Sequence, residues 1–350
     1  MSDHVPLHVP LHDTLADPAT RGVLLSASRD PDAKMTFLLT SPTSAGPGGG
    51  LVCKIPTTEA ARVAVRREAQ ALVELRRMSL GPLAPTIPRY VSSRPPVTTP
   101  RNEAPVEMLV STQLPGRPMS HGYHRWRHTS RRGPVTADLD LALGWLESLW
   151  DETRTAPEPL TWAAEVGADL SRRWDGSDLL APALERVASA HASMVLERCP
   201  RTTVHGDFWF GNVLVQDGAV SGVVDWEASE ARGWPLRDVA RFLLSYSLYL
   251  DRHTRRGRRV PGHRGLRREG NGAAVVHGLL GQGWYPREVR ERLGGALRRL
   301  GLPTHLWYDV ALTAVAEVAA TANEDEFGRD HLQLLLRLPH RPPRADRRAR

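Results

Sequence analysis

Residues 205–226 read HGDFWFGNVLVQDGAVSGVVDW and hold four polar side chains at a distinctive spacing. Asp207 follows His205 by two positions and precedes Asn212 by five, and Asp225 comes thirteen positions after Asn212. An Asp-Gly turn signal and the β-branched residues after it predict a short strand that ends at Asp225. Because Mg²⁺ takes oxygen ligands from one or two protein side chains, Asn212 and Asp225 are candidate metal ligands.

The spacing of the first three of these residues matches the H-x-D-x-x-x-x-N catalytic loop of kinases. In that loop the aspartate orients the attacking hydroxyl group and the asparagine binds a metal ion. A turn cap or a strand end accounts better for any one such residue taken alone. Four of them at matching offsets, with a predicted strand before the last, are not explained by capping. The stretch therefore predicts phosphoryl transfer with Asp207 as the catalytic residue and His205 in a structural role.

This stretch resembles the aminoglycoside phosphotransferase and choline kinase-like family, whose members are small-molecule relatives of the protein kinases. The resemblance covers most of the chain and implies an α+β, bilobal protein-kinase-like fold. Its N-terminal lobe is a small antiparallel sheet with one main helix, and its larger C-terminal lobe is mostly helical. We place the nucleotide-binding lobe at residues 1–115, the catalytic and acceptor-binding lobe at 116–336, and a basic, disordered tail at 337–350. A Gly/Arg-rich segment at 252–272 predicts a mobile loop.

The resemblance also implies a lysine on the third strand, a glutamate on the next helix and a later aspartate that braces the catalytic loop. Lys54 lies in the apolar run LVCKIP, which predicts a strand. It is one of only two lysines among 46 Lys and Arg residues, so arginine is the usual cation of this chain. A lysine is kept here for a physical reason, because a planar guanidinium cannot replace a compact ammonium group that contacts a phosphate. A Thr/Glu capping signal starts a helix predicted at 57–77. Glu68 lies on the apolar face of this helix, where a buried carboxylate needs a cation such as Lys54. Asp238, which follows Pro235 at a predicted helix start, is the candidate for the bracing aspartate.

Residues 24–40 predict two strands around a polar turn, at the place where a kinase covers the nucleotide phosphates with glycines. GxGxxG is absent here, and Ser26 and Ser28 instead offer backbone N–H groups and hydroxyls to the phosphates. By resemblance, residues 108–119 form a last strand and a linker whose backbone binds the adenine through Thr112, Gln113 and Leu114. These residues complete the predicted site for ATP, with GTP left open.

The composition fits an enzyme with two lobes. The chain has 350 residues, of which 41% are hydrophobic, and can bury a sizeable core. Its two cysteines, Cys53 and Cys199, argue against a disulfide framework. The first residues carry prolines and acids where a secretory signal needs an apolar segment, and no apolar run is long enough for a membrane span. We therefore expect a cytoplasmic enzyme with no membrane partner, and its oligomeric state is left open.

The acceptor is not specified by these motifs, so sugars, aminoglycosides, other antibiotics, amino alcohols and amino acids all stay open. The segment at 121–132 follows the linker and interleaves aromatic and basic side chains, although an exposed linker explains that composition as well. Its candidate acceptor contacts are Tyr123, Arg125, Trp126 and Arg127. A polycationic aminoglycoside would need acidic partners, which the acidic run at 323–326 could supply unless it is a solvated helix face.

Two other classes of function compete with a kinase. The formal net charge of +7 suits a nucleic-acid-binding module, but no nucleic-acid fold signature accompanies the charge, so that partner is disfavoured. An intact motif does not prove turnover, so a catalytically weak pseudokinase or ATP-binding scaffold is the main alternative. The sequence favours a kinase that uses ATP and Mg²⁺ to phosphorylate a hydroxyl group of a small molecule.

Overall fold

The computed structural model describes residues 20–27, 31–40, 49–93 and 108–342. The chain divides into two compact units. The first unit gathers the described residues of 1–117 together with 214–229, and the second gathers 118–213 and the described residues of 230–350. A single boundary near residue 115 does not describe this division, because 214–229 belong to the first unit.

Five strands form the main sheet of the first unit, in the order β1–β2–β3–β5–β4, with every neighbouring pair antiparallel. They are β1 (Arg21–Ala27), β2 (Lys34–Thr40), β3 (Leu51–Pro56), β4 (Tyr90–Ser92) and β5 (Leu109–Thr112). Thr36 on β2 lies opposite Lys54 on β3. Because opposite residues and alternate residues share a face, Lys34 and Lys54 lie on the same face of this sheet.

One long helix, α1 (Glu59–Arg77), contacts strands β3 to β5 of this sheet. The side chain of Thr58 caps it by accepting a hydrogen bond from the N–H group of Ala61 at 3.1 Å, as the capping signal predicts. Its buried face is apolar except for Glu68. Burying a carboxylate is costly unless it is paired, so this helix requires a cation from its surroundings. A 3₁₀ turn at Gly81–Thr86 follows.

Residues 214–229 contribute a hairpin to the first unit. Strands β10 (Val213–Gln216) and β11 (Ala219–Val223) join β6 (Arg117–Pro118) in the order β11–β10–β6. Asp217 and Gly218 have φ values of 50° and 77°, and two positive values in succession are typical of a type I′ hairpin turn. The predicted turn at this Asp-Gly pair is confirmed.

The second unit is mostly helical, as predicted. Its helices are α2 (Met119–Tyr123), α3 (Arg132–Thr153), α4 (Trp162–Arg173), α5 (Leu180–Met194), α6 (Leu236–Leu248), α7 (Ala273–Leu280), α8 (Trp284–Arg299), α9 (Trp307–Thr321) and α10 (Asp325–Arg337). A 3₁₀ turn at Thr304–Leu306 precedes α9. Two short antiparallel pairs join β7 (Pro157–Pro159) to β8 (Arg198–Pro200) and β9 (Thr202–Val204) to β12 (Glu230–Gly233). Helix α9 is buried along most of its length and packs against α4, α5, α6 and α10, so it forms the centre of the core.

The Gly/Arg-rich segment at 252–272 differs from the predicted mobile loop. It folds into hydrogen-bonded turns and buries Val260, His263 and Leu266. The ring Nε2 of His263 lies 2.8 Å from the backbone carbonyl of Thr129. These buried anchors, spaced every three residues within an arginine-rich segment, explain why the segment packs onto the rest of the second unit. Of the tail predicted at 337–350, residues 343–350 lie outside the described residues, and Leu338 is buried.

Both cysteines are free and buried, in agreement with the sequence analysis. Burial raises the pKa of the Cys53 thiol to about 11 and that of Cys199 to about 12, so both are protonated at neutral pH. Among the described residues, no helix has both the length and the low polarity needed to cross a membrane.

His331 on α10 makes the stability of the second unit depend on pH. Burial lowers the pKa of His331 from 6.5 to about 4. The unfolded chain therefore binds more protons between these values, and stability falls as the pH falls through that window. Lowering the pH from about 7.5 to about 5 should remove up to about 2 kcal/mol of unfolding free energy through this residue. Urea unfolding at the two pH values should show a smaller loss of unfolding free energy for His331→Gln than for the unsubstituted protein. Equal losses in the two proteins would contradict the assignment of this pH dependence to His331.

Candidate active site

Five charged side chains meet in the first unit, and we call them the lysine cluster: Lys34, Lys54, Glu68, Asp225 and Glu227. The ammonium nitrogen of Lys54 lies 2.6 Å from each carboxylate oxygen of Glu68. The same nitrogen pairs with Asp225, and Lys34 pairs with Glu227. The predicted Lys54–Glu68 pair is therefore present, and both lysines of the chain belong to one cluster.

Burial sets the electrostatics of the lysine cluster. Lys54 is 6% exposed and Glu68 is 2% exposed. Burial opposes the charged form of Lys54, but Asp225, Glu68 and Glu227 outweigh that effect and raise its pKa, so the ammonium group stays protonated. Burial also raises the pKa of Glu227, against the opposing influence of the two lysines. The Asp225 side chain is 38% exposed, so this carboxylate can be reached by a ligand.

The backbone directs the Asp225 side chain towards Lys54. Asp225 has a φ of 66°, in the left-handed region that aspartate tolerates better than most residues. This conformation ends the extended run of β11 before the chain reaches Trp226. The indole of Trp226 is buried and donates a hydrogen bond to the carbonyl of Val223 at 2.9 Å, which closes the turn. A strand end and a buried tryptophan thus fix the position of the carboxylate.

A second group of side chains, the loop cluster, lies in the second unit and comprises His205, Asp207, Asn212, Asp238 and Arg241. Asp238, in the first turn of α6, is fully buried. Its carboxylate accepts hydrogen bonds from the backbone N–H groups of His205 at 2.7 Å and Gly206 at 2.9 Å. Burial raises the pKa of Asp238, although both amide contacts favour its charged form. The bracing contact that the resemblance implies is therefore present.

The carboxylate of Asp207 is held from two sides. Arg241 on α6 places a guanidinium nitrogen 2.7 Å from Asp207 Oδ1. The side-chain amide of Asn212 donates to the Asp207 carbonyl at 3.0 Å and to Oδ2 at 3.3 Å. Because the nitrogen of this amide faces Asp207, its oxygen is the atom that can ligate a metal ion. The Asp207 N–H group donates to Nδ1 of His205 at 3.2 Å, which agrees with a structural role for that ring.

The predicted adenine contacts are narrowed by backbone hydrogen bonds in the first unit. The N–H group of Thr112 donates to the carbonyl of Arg89, and that of Gln113 donates to the carbonyl of Gly50, both at 2.9 Å. These two amides are already used within the fold. Among the three predicted residues, Leu114 is therefore the candidate donor to an adenine, while Thr112 and Gln113 can contribute only backbone carbonyls and side chains.

Of the two serines predicted to contact phosphates, the structure describes only Ser26. Ser26 is exposed and lies near the end of β1, where the pairing with β2 shifts register between Leu24 and Ser26. Such a bulge bends the strand locally. Ser28 lies outside the described residues. A phosphate contact by either serine stays a prediction.

The interpretation of Tyr123 as an acceptor contact is wrong. Its ring is 1% exposed and stacks on Phe210 with ring centroids 4.4 Å apart. Its hydroxyl group donates to the carbonyl of Tyr246 at 2.8 Å. Trp126, in contrast, is 84% exposed, as expected for a solvated linker. The short helix α2 turns Tyr123 into the core, and a mixed aromatic and basic sequence does not reveal that orientation.

The chain is similar to known proteins in sequence and in fold. The phosphotransferase enzyme family model matches residues 36–270. A ligand-free thermostable mutant of aminoglycoside phosphotransferase APH(4)-Ia is 14% identical, with a TM-score of 0.53 over 91% of this chain and 94% of that chain. A ternary complex of that enzyme with AMP-PNP and hygromycin B is 13% identical, with a TM-score of 0.51 over 91% and 93%. A search of curated proteins found no match. The predicted protein-kinase-like fold is confirmed.

Proposed function

Because the chain belongs to the phosphotransferase enzyme family, we propose that it uses Mg-ATP to phosphorylate a hydroxyl group of a small molecule. The observation that carries this proposal is the loop cluster, in which Asp207 and Asn212 stand at kinase spacing on a loop that Asp238 braces through two backbone amides. Such bracing fixes the catalytic carboxylate before the substrate arrives. Positioning of this kind supplies much of the rate in phosphoryl transfer.

In the first unit, the lysine cluster is proposed to hold the nucleotide. Lys54 is protonated, buried and oriented by Glu68, so its ammonium group is prepared to contact phosphate oxygens. Asp225 and Asn212 are the residues proposed to hold Mg²⁺, because a carboxylate and an amide each offer an oxygen of the kind that this ion prefers. When bound, the metal neutralises charge on the β- and γ-phosphates. Leu114 is the proposed backbone contact to the adenine, and whether GTP also binds stays open.

In the second unit, Asp207 is proposed to orient the acceptor hydroxyl group for in-line attack. Arg241 and Asn212 fix the rotamer of its carboxylate, while a remaining lone pair can accept the hydroxyl proton. In a loose transition state that proton leaves late, so Asp207 acts mainly by positioning. Arg241 holds the carboxylate in place without touching the reacting atoms, which makes it a positioning residue.

An acceptor panel tests this proposal. Purified protein with Mg-ATP should release ADP only when a suitable acceptor is present, and removal of Mg²⁺ with EDTA should stop the reaction. The panel includes aminoglycosides, macrolides, monosaccharides, choline, ethanolamine and homoserine. Mg-ATP binding without turnover of any acceptor in this panel, or of a neutral apolar diol such as 3-phenylpropane-1,2-diol, would favour the scaffold alternative. Absence of Mg-ATP binding would contradict the proposal.

A further inference from the structure

A cavity of about 250 Å³ lies beside Asp207 in the second unit. Helices α6, α7, α9 and α10 supply most of its wall, and Asp207 and Trp209 of the catalytic loop complete it. The wall is largely apolar and includes Leu244, Leu248, Val275, Val318, Phe327 and Leu334. An acceptor whose hydroxyl group reaches Asp207 would therefore rest its body against aliphatic and aromatic side chains.

The charged side chains in this cavity wall cancel, so the wall carries no net charge. Its charged side chains are Asp207 and Arg241, and these form an ion pair with each other. Burial lowers the pKa of His331 to about 4, so this ring is neutral at pH 7. A buried ammonium group needs a carboxylate partner to offset the loss of its hydration. Among the described residues that line this wall, Asp207 alone has a carboxylate, and this carboxylate already has a cationic partner.

A wider cavity of about 650 Å³ continues from the first one. The two share Leu248, Tyr249, Phe327, His331 and Leu334 in their walls. The wider cavity adds three arginines and two aspartates, so its formal charge is one positive unit: Arg252, Arg256, Arg268, Asp251 and Asp330. Burial raises the pKa of Asp251, against the opposing influence of Arg268. A polycation therefore meets a net positive charge in the wider cavity as well as an apolar wall in the first one.

The acidic run at 323–326 does not supply the missing carboxylates. None of its residues lines either cavity. Asp325 is exposed and forms an ion pair with Arg173 of α4 at 3.0 Å. The run therefore behaves as a solvated helix start, the alternative that its composition left open.

We propose that the acceptor is an uncharged, largely apolar alcohol that binds in this cavity with its hydroxyl group at Asp207. Polycationic aminoglycosides are excluded from its substrates. This inference rests on the proposed kinase function, because it assigns the acceptor of the same reaction. It departs from the aminoglycosides bound in similar solved structures, because no described residue of the cavity wall offers a carboxylate that lacks a cationic partner.

Two probes of equal shape separate charge from size. 3-Phenylpropane-1,2-diol is neutral, and phenylalaninol carries an ammonium group where the diol has one hydroxyl. Calorimetric titration of the full chain without nucleotide should show that the diol binds and that phenylalaninol binds about tenfold more weakly or worse. Equal or tighter binding of phenylalaninol would overturn the inference, as would phosphorylation of kanamycin by the protein with Mg-ATP.

Variants that fill the cavity beside Asp207 test whether the diol binds there. Val318→Phe on α9 and Val275→Phe on α7 should each abolish diol binding, because both residues line the cavity from different helices. Val63→Phe is the matched control, since Val63 is exposed on α1 in the first unit. Thermal unfolding identifies any variant that fails to fold, and the other filling variant then decides the test. Diol binding that survives in a folded filling variant would overturn the inference.

Binding without nucleotide and turnover with Mg-ATP test different statements. A diol that binds in the cavity but is never phosphorylated, in a protein that also phosphorylates nothing else, would contradict the kinase function and leave the chemistry of the cavity intact. Turnover of a cationic acceptor would support the kinase function and contradict the assignment of a neutral acceptor.

Discussion

Replacing Asp207 with asparagine should lower kcat by about 100-fold or more, because the acceptor hydroxyl group loses its positioning carboxylate and proton acceptor. An asparagine amide can still accept a hydrogen bond from Arg241. It cannot accept a proton, and its nitrogen would face the side-chain amide of Asn212, which is also a donor. The substitution therefore removes the carboxylate that is proposed to act on the acceptor hydroxyl group, while it preserves the size of the side chain.

Affinity for Mg-ATP should change little in Asp207→Asn, since Lys54 and Asp225 are untouched. Steady-state kinetics with a productive acceptor and calorimetric titration with Mg-AMP-PNP measure the two quantities separately. Asp217→Asn is the matched control, because Asp217 lies in the hairpin turn with a φ of 50°, which asparagine also tolerates. Full turnover in the Asp207 variant, with the control equally active, would remove Asp207 from the catalytic role.

The features that the sequence predicted well are those with local signals. The Asp-Gly turn, the Thr58 cap and the buried face of α1 each depend on residues a few positions apart. The contact between Asp238 and the catalytic loop spans a longer distance, but both of its ends carried a signal: the loop spacing and a helix start after Pro235. Family resemblance then supplied the connection between them.

The sequence did not predict ion pairs between residues that are far apart in the chain and belong to no motif. Lys34 pairs with Glu227 across 193 positions, and Arg241 pairs with Asp207 across 34. Lysine is rare in this chain, but only Lys54 lies on the predicted third strand, so the sequence assigns a role to Lys54 and none to Lys34. Arg241 stands one helical turn after Asp238, so the helix that braces the loop also presents a cation to it. Neither partner could be chosen from the sequence, because many arginines and glutamates were equally available.

The cavity beside Asp207 could not be predicted from the sequence for a similar reason. Its wall comes from four helices and one loop that are separated along the chain, and each helix contributes only a few side chains. Sequence reasoning therefore placed the acceptor contacts in the nearest aromatic and basic segment, at 121–132, where Tyr123 proved to be a core residue. The acceptor chemistry proposed here depends on which apolar side chains line the cavity beside Asp207, and hydrophobic periodicity shows only that they are buried.

Replacing Lys54 with arginine should lower kcat/KM for ATP by about 100-fold even though the charge is kept. The Lys54 ammonium group is enclosed by Glu68 on one side and Asp225 on the other, in a site that leaves it 6% exposed. A guanidinium group is larger and would favour a bidentate pair with Glu68, which turns its charge away from Asp225 and from a phosphate. The loss should appear mainly in nucleotide binding and in the transfer step, because fold and net charge are preserved.

Lys34→Arg provides the comparison, since Lys34 is the other lysine of the same cluster. Lys34 pairs with Glu227 rather than with Glu68, and its side chain is 15% exposed, so a larger cation has more room there. We expect its effect on kcat/KM for ATP to be about tenfold smaller than that of Lys54→Arg. Thermal unfolding of both variants checks that neither has lost its fold. Equal losses would show that the cluster acts only through its total charge, and they would contradict the assignment of the phosphate contact to Lys54.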